Sequence, residues 1–355
     1  MPPASEYTSG IQPVGSAPVR ERRGSVTVSL EAAALLSSKL AAPADVRGAA
    51  QLLERSLHVP ARASILLVVS TEEETGLGAA ILSAANELQI HPLVYLVDPR
   101  EPLNAAFLKR LSLQVEEVAA CIAIQAATPF APALVECLAA HASAVFLEVP
   151  SDAVARQALR ADLEELHRLG VNLVRRASST SAVEFLSGLD AVLTVELHEG
   201  RAPVHHGGEP AAGKPLRLPA GQLVFECLGA DGTLSVDGGI WLEGGAVLGR
   251  GSSTKLHVAS GFVENVTGSN ADEVNEALRK DPSLRRVSGL GFGTNTSLVA
   301  GVGVRELDLC MPGAYVLLGA WTDPRTMVAA VPRRPGVRAG SETWMGRGRW
   351  ARELL

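Results

Sequence analysis

Pro219-Ala220-Gly221-Gln222 is the first of three short sequences, all between Leu218 and Asp323, that decide the fold of this chain. The other two read Gly289-Leu290-Gly291-Phe292-Gly293-Thr294-Asn295 and Gly313-Ala314-Tyr315-Val316-Leu317-Leu318-Gly319-Ala320-Trp321-Thr322-Asp323. Short β-forming runs separated by glycines lie around them, at residues 222–227, 233–236, 240–243, 256–260 and 262–266, and one helical pattern covers 270–279. This half of the chain is therefore predicted to be a β-rich α+β domain.

The half that precedes it alternates apolar strands with helical patterns. The run at 65–69 is continuously apolar and is followed by a polar turn and a helical pattern at 77–88. The same unit recurs, with strands expected at 93–97, 113–115, 144–149 and 171–174 and helices at 102–111, 131–140 and 152–169. Such alternation predicts an open α/β domain, whose parallel sheet is covered by helices on both faces.

Composition sets the boundaries of these units. Residues 1–24 are rich in Pro, Ser and Gly and are predicted to form a flexible arm. The α/β domain is assigned to 25–199, with helical patterning at 29–57 that Pro43 interrupts. A Gly/Pro-rich linker loop follows at 200–218, then the β-rich domain at 219–332 and a basic tail at 333–355. The tail's arginines suit either the acidic groups of a partner or neighbouring subunit, or a solvated terminus.

The composition also excludes several classes of protein. A chain of 355 residues, 47% hydrophobic, fits two domains of about 150 residues each. No apolar run approaches the length of a membrane helix and no secretory signal is recognisable, so a cytoplasmic protein that binds no membrane is expected. The net charge of −6 gives no attraction to nucleic acid. The four cysteines form no CxxC pair and are expected to be reduced, buried thiols.

Three tempting motifs are set aside. Residues 251–255 lack the Gly-Lys-Ser/Thr order of a phosphate loop, and the glycine-rich turn at 289–293 has no βαβ unit around it. His205 and His206 are adjacent in a Gly/Pro-rich segment and have no carboxylate at a fixed helical offset. They are expected to lie in a solvated loop.

The three quoted sequences, taken in order, resemble the metal-binding half of the aminopeptidase T-like metallopeptidases, and the resemblance covers about 60–330. Between them the same order includes the turns at Asp231-Gly232 and Asp237-Gly238-Gly239, the strand that begins at Gly261 and the helix at 270–279. The family pairs an α/β domain with a β-rich domain that carries two metal ions. The resemblance therefore implies the same two-domain fold here.

Most of the family's metal ligands are absent at the matching positions. The resemblance places glutamates where this chain has Gln222 and Gly289, a histidine where it has Tyr315, and a His-x-Asp pair where it has Trp321-Thr322-Asp323. An amide, a glycine and a phenol cannot replace two carboxylates and an imidazole as ligands at neutral pH. No metal, no other cofactor and no metal-dependent catalytic residue is therefore expected.

A pocket that keeps its walls without its metal predicts a binding protein. The expected peptide-binding residues are Gln222, Thr294, Asn295, Tyr315, Trp321 and Asp323, which supply hydrogen bonds and aromatic surface. In the competing interpretation, Tyr315 and Trp321 only fill the vacated volume. The resemblance extends to peptide-binding accessory proteins of ribosomal-peptide pathways such as crocagin biosynthesis. It implies a precursor or leader peptide as ligand, modifying enzymes as further partners and, because relatives dimerise, a homodimer.

Two alternatives belong to the enzymes. In the first, Tyr315, Asp323 or Glu226 serves as proton donor or acceptor without metal, for example in assisting a peptide cyclisation. In the second, the chain is a residual metallopeptidase or a relative of iron dioxygenases, which would contain stoichiometric metal.

Overall fold

The computed structural model describes residues 26–28, 30–149, 151–159, 161–198, 200–207, 210–298 and 303–355, so the expected arm at 1–24 lies outside the described residues. The helices are α1 (Leu30–Ser37), α2 (Pro43–Gln51), α3 (Leu77–Glu87), α4 (Ala105–Glu117), α5 (Pro132–Ala139), α6 (Asp152–Ala158), α7 (Leu163–Ala177), α8 (Ala271–Lys280) and α9 (Arg305–Asp308). A π-helical turn, Leu52–Ser56, follows α2, and 3-10 turns lie at Glu243–Gly245 and Pro282–Arg285.

The strands, in chain order, form two sheets. They are β1 (Val26–Val28), β2 (Ser64–Ser70), β3 (His91–Val97), β4 (Ala120–Gln125), β5 (Ala144–Glu148), β6 (Ala182–Ser187), β7 (Ala191–Leu197), β8 (Val204–His206), β9 (Leu216–Leu218), β10 (Gln222–Val236), β11 (Gly239–Trp241), β12 (Val247–Leu248), β13 (Thr254–Ala259), β14 (Phe262–Gly268), β15 (Val287–Gly293), β16 (Gly313–Leu318), β17 (Val328–Val331), β18 (Gly336–Ala339), β19 (Glu342–Gly346) and β20 (Arg349–Trp350).

The first sheet has the order β1-β3-β2-β4-β5-β9 and is parallel except for β1, which runs antiparallel to β3. The central residues of strand β2, 65–69, are all apolar. Its alternate residues Leu67 and Val69 pack into the core on one face, and Leu66 and Val68 pack into the core on the other. A strand covered on both faces has no side for polar residues. The predicted parallel sheet is confirmed.

The second sheet is a large antiparallel half-barrel built from fourteen of the described strands. Strand β10 is its longest member and changes partners along its length. Its first part pairs with β15 and β8, and its second part pairs with β7 and β13. The core of this sheet contains Phe225, Phe292 and Trp344, whose rings contact one another through Phe292. The prediction of a β-rich second half is confirmed.

Two expected strands in the first half are wrong. Residues 113–115 lie inside α4, and the strand of that unit is β4, which the sequence pattern did not reveal. Residues 171–174 lie inside α7, which continues through Gly170 because Leu166, Leu169 and Leu173 keep their helical spacing toward the core. The missing side chain at Gly170 leaves room for the His205 ring, since a Cβ there would lie 2.3 Å from Cε1 of that ring.

Strand pairing crosses the expected domain boundaries. Strands β6 and β7 belong to the second sheet, although their residues were assigned to the first domain. The expected linker contributes β8 to the second sheet and β9 to the first. The chain therefore passes from one sheet to the other near residue 180 and returns once, through β9.

The expected solvated interpretation of the tail is wrong. Strand β18 pairs with β6, and Trp344, Met345 and Trp350 enter the core of the half-barrel. Two charged residues of the tail have partners elsewhere in the chain, because Arg338 pairs with Glu184 and Glu342 pairs with Arg176. The apolar residues between the charges fold this segment.

Two expectations from composition concern helices and cysteines. No helix in the described part of the chain is long and apolar enough to cross a membrane. The four cysteines form no disulfide, and Cys121, Cys227 and Cys310 are buried while Cys137 is half-buried.

Candidate functional site

A cleft of about 410 Å³ lies where the two sheets meet. One side is formed by the carboxyl ends of β4, β5 and β9, which carry Gln125, Glu148 and Arg217, and the other side begins at β8 and β10. The carboxyl ends of parallel strands are the usual place for ligands in open α/β sheets. Its size is within the range of small-ligand pockets.

The floor of the cleft carries two buried polar atoms without a partner. Gln222 is 5% exposed, and its Oε1 makes no hydrogen bond; the same is true of Nε2 of His206. The two residues are direct neighbours across the antiparallel pair of β10 and β8, so their side chains share one face of the sheet. A buried polar atom left unpaired costs about 1–3 kcal/mol.

The expected solvated loop at His205 and His206 is therefore wrong. Strand β8 pairs both residues with β10, and burial is the main cause that lowers the pKa of each imidazole to about 4. At His206 the positive charges of Arg325 and Arg217 lower the pKa further, while Asp323 opposes them. His206 is therefore neutral at pH 7.

One wall of the cleft is a compensated ion network. The guanidinium of Arg325 donates to Glu148, with Nη1 3.2 Å from Oε1, and to Asp323, with Nη2 2.7 Å from Oδ2. Arg217 pairs with the same Glu148. Partial burial alone would raise the pKa of Asp323, but the hydrogen bonds and charge of Arg325 outweigh it and hold this pKa below its usual value.

A buried arginine anchors the loop that carries this network. Arg305 on α9 is 6% exposed and donates to three backbone carbonyls: those of Arg325, at 2.9 Å, of Trp241, at 3.3 Å, and of Met327. Two of these acceptors belong to the loop between β16 and β17. Arg305 therefore sets the position of Arg325 in the cleft.

The six residues expected to bind a peptide have different places. Gln222 lies on the cleft floor and Asp323 stands behind Arg325. Thr294 and Asn295 are buried, and Asn295 holds the Pro-Ala-Gly step through Nδ2, which donates to the carbonyl of Ala220 at 3.0 Å. A peptide-contacting role for these residues stays a prediction.

The two aromatic residues of that set fill space beside glycines of β15. The buried Tyr315 ring covers Gly291, where a Cβ would lie 2.0 Å from Cε2 of the ring. The half-buried Trp321 lies against Gly289, where a Cβ would lie 3.0 Å from Cζ3. Both rings therefore fill the space beside the glycines of β15.

The side chains suggested for metal-free acid–base chemistry do not converge. Burial raises the pKa of the Tyr315 phenol far above its usual value, so it stays protonated. Glu226 pairs with Arg201, and Asp323 pairs with Arg325. None of the three faces another as donor and acceptor in the contacts the structure describes.

Sequence reasoning missed Glu148, Arg217, Arg305 and Arg325, and it set His206 aside as part of a solvated loop. Glu148 had a usable signal, because it lies at the carboxyl end of the strand expected at 144–149, whereas Arg217 lies in the middle of β9, in a segment expected to be a loop. Arg325 follows Asp323 by two residues, the spacing of a local side-chain pair. Arg305 gave no signal, and the burial of His206 was not recognised, because both depend on contacts distant in sequence.

Comparisons with known proteins support the fold at low sequence identity. No protein-family model matches the chain, and no curated protein matches it. Among solved structures, 2,5-dihydroxypyridine dioxygenase from Pseudomonas putida KT2440 has a TM-score of 0.62 at 15% identity, covering 87% of this chain and 97% of its own. Wild-type AmpT, an aminopeptidase T from Thermus thermophilus, has a TM-score of 0.57 at 13% identity, covering 87% of this chain and 99% of its own. The chain therefore has a distant aminopeptidase-like fold.

The donor set in the cleft does not fit the two metal ions that the resemblance implies. Among the described residues, no group of three His, Cys, Asp or Glu side chains is arranged to hold a metal ion. The guanidinium of Arg325 lies between the carboxylates of Asp323 and Glu148, so a positive charge already stands where a cation would need them. A divalent ion would meet repulsion and too few ligands.

Addition of Zn²⁺ or Fe²⁺ to chelator-treated protein is accordingly expected to leave its Tm unchanged. A metal bound to the native state would raise the Tm by mass action. Thermal unfolding monitored at increasing metal concentration measures this. A saturable rise in Tm that Asp323→Asn abolishes would contradict the expectation and restore a metal site beside Arg325.

Proposed function

We propose that this protein binds a peptide in the cleft between its two sheets, on an aminopeptidase T-like scaffold whose metal ligands are mostly lost, and holds the peptide without hydrolysing it. In the wider form of the proposal it acts in the cytoplasm and presents a precursor peptide to the modifying enzymes of a natural-product pathway. The first part concerns the cleft alone.

The pair of unpartnered atoms on the cleft floor carries the proposal. Oε1 of Gln222 can accept a hydrogen bond, and Nε2 of the neutral His206 can accept or donate one, according to its tautomer. A folded chain rarely keeps such atoms buried and unpaired without a reason. A ligand that supplies both a donor and an acceptor would satisfy them.

A peptide main chain has the chemistry that these atoms require. Its N–H and C=O groups alternate, and the amide of Gln222 can both accept from and donate to them. The adjoining ion network offers further donors and acceptors in Arg217 and Glu148. One solved structure with a similar fold is named as an aminopeptidase, which supports a peptide as the ligand of this scaffold.

Gln222→Met is expected to weaken peptide binding about 10-fold and, at the same time, to stabilise the free protein by about 1 kcal/mol. The substitution keeps the length of the side chain and removes the unpaired oxygen. At a residue kept for binding at a cost in stability, a substitution lowers the affinity for the ligand and raises the free energy of unfolding. Affinity selection from a library of capped random hexapeptides, quantified by mass spectrometry, measures binding, and urea denaturation measures stability.

Asn295→Leu is the matched control for this experiment. Its amide is buried like that of Gln222, but it is satisfied, since Nδ2 donates to Ala220 and Oδ1 accepts from the backbone of Ser297. Removing it should destabilise the fold by about 2 kcal/mol. If Gln222→Met destabilises the protein as Asn295→Leu does, Gln222 has a structural role and the proposal loses its main support. Failure to select any peptide would defeat it directly.

Presentation to modifying enzymes is tested separately. Once a bound peptide is known, a modifying enzyme that accepts it should act faster when this protein is added in stoichiometric amounts, and Gln222→Met should reduce the acceleration. Equal rates with and without the protein would limit the function to binding.

A further inference from the structure

Part of the lining of the cleft is apolar, on the side where β4 ends. It is formed by the segment that follows β4 and enters α5, with Ala126, Ala127, Pro129, Phe130 and Val135 on its surface. The segment is held in place by Gln125, whose Oε1 accepts from the backbone N–H of Phe130 at 3.3 Å. Ala127 and Pro129 are exposed and Val135 is half-buried. This wall therefore presents apolar surface that a ligand could cover.

The wall formed by the ion network has no net charge. It contains three guanidinium groups, and three carboxylates balance their charge. The guanidinium groups are those of Arg217, Arg305 and Arg325, and the carboxylates are those of Glu148, Glu306 and Asp323. Arg217 and Arg325 share Glu148, and the donors of Arg305 are directed to backbone carbonyls. An acidic side chain brought here would have to displace an existing ion pair, because Arg217 and Arg325 already have carboxylate partners. An uncharged dipolar group such as a peptide main chain would not.

We infer that the cleft selects an uncharged peptide segment in which an apolar side chain packs against the wall of residues 126–135, while the main chain bonds to Gln222 and His206. The inference rests on the proposed function and adds to it the class of sequence that is bound. The apolar wall contacts the side chain of the peptide, and the polar floor binds its main chain. An acidic segment paired with Arg217 is disfavoured, since that guanidinium already has Glu148.

Four capped hexapeptides that differ at one central residue test the selection. The variable residue is Leu, Asn, Asp or Lys in a Gly/Ser background, with fluorescein attached, and binding to the full-length protein is followed by fluorescence anisotropy. The Leu peptide is expected to bind at least about 10-fold more tightly than the Asn peptide, because a buried leucine side chain contributes that much over one left exposed. The Asp and Lys peptides should bind no better than the Asn peptide.

Substitutions on α5 test whether the apolar wall is responsible. Val135→Asp should abolish the preference for Leu over Asn, whereas Ala133→Asp, at an exposed position of the same helix that does not line the cleft, should leave it unchanged. Because Val135 also packs against the core beside the sheet, Pro129→Asp serves as a second variant on the exposed part of the wall. It should reduce the preference for Leu without lowering the Tm.

The outcomes separate this inference from the proposed function. If the Leu and Asn peptides bind equally well, or if the Asp or Lys peptide binds best, the inference is overturned while peptide binding stands. If the preference for Leu survives both Val135→Asp and Pro129→Asp, the wall of residues 126–135 is excluded and the inference is again overturned. If no peptide in the series or in the random library binds, both fail together.

Discussion

Replacement of Arg305 by methionine is expected to destabilise the protein by about 3 kcal/mol. The side chain is buried and donates to the carbonyls of Trp241, Arg325 and Met327. Methionine fills similar volume but donates nothing, so these buried acceptors lose their partner. Urea denaturation measures the loss. Because two of the three carbonyls belong to the loop between β16 and β17, amide hydrogen exchange at 323–327 should accelerate more than elsewhere.

Arg334→Met is the control, since Arg334 is exposed and its loss should change stability by less than about 0.5 kcal/mol. The loop effect also links stability to the cleft, because the displaced loop carries Arg325. Peptide binding by the Arg305→Met protein should therefore fall even at temperatures where it remains folded. If stability falls while exchange at 323–327 stays unchanged, Arg305 is not the anchor of this loop.

Gly291→Ala is expected to destabilise the protein by about 3 kcal/mol, an effect large for the addition of one methyl group. The new Cβ would lie 2.0 Å from Cε2 and 2.3 Å from Cζ of Tyr315, and that ring is buried among Val224, Trp241 and Leu317. The ring cannot move aside without disturbing these neighbours. Thermal and urea denaturation measure the change. Gly346→Ala, where a Cβ would meet nothing within 4 Å, should be almost neutral.

A double-mutant cycle identifies the cause. Tyr315→Ala alone leaves a cavity and should cost about 4 kcal/mol. With the ring absent, the methyl group added by Gly291→Ala meets no obstacle, so the double variant should be more stable than the sum of the single effects predicts, by about 2 kcal/mol. Additive effects would show that Tyr315 does not fill the space above Gly291, and the packing interpretation of the two aromatic residues would be lost.

The same packing explains why restoring one ligand would not restore a metal site. A side chain at 289 would meet Cζ3 of Trp321 at 3.0 Å and Cδ1 of Leu317 at 3.2 Å. The absent carboxylate and the aromatic ring would therefore compete for one space.

The fold was accessible from the sequence wherever local patterns and burial agree. Strand β2 is apolar at 65–69, and the helical pattern at 77–88 corresponds to α3, so both elements are recognisable from local sequence. Strand β4, ACIAIQ, was missed because alanine and cysteine carry a weak β signal. The segment 336–355 was misjudged because its arginines outnumber the tryptophan residues that actually fold it.

Within the candidate site, the sequence indicated Gln222 and Asp323 but not the side chains that surround them. Glu148, Arg217 and Arg325 come from β5, β9 and the loop after β16, and only the meeting of the two sheets makes them one network. A solvated position was expected for His206 because its neighbours are Gly and Pro. His206 is buried instead because strand β8 pairs with β10, where the partner of His206 is Gln222.

The order of residue types along the chain determined that a parallel α/β sheet is joined to a β-rich half. That conclusion depends on periodicity, which is a local property. Only the tertiary structure decided that Arg325 lies between two carboxylates and that Tyr315 and Trp321 fill space above glycines. It also decided that Gln222 and His206 lie side by side on the cleft floor, each with a buried polar atom that has no hydrogen-bond partner. Each of these depends on distances between segments far apart in sequence, and no local pattern encodes such distances.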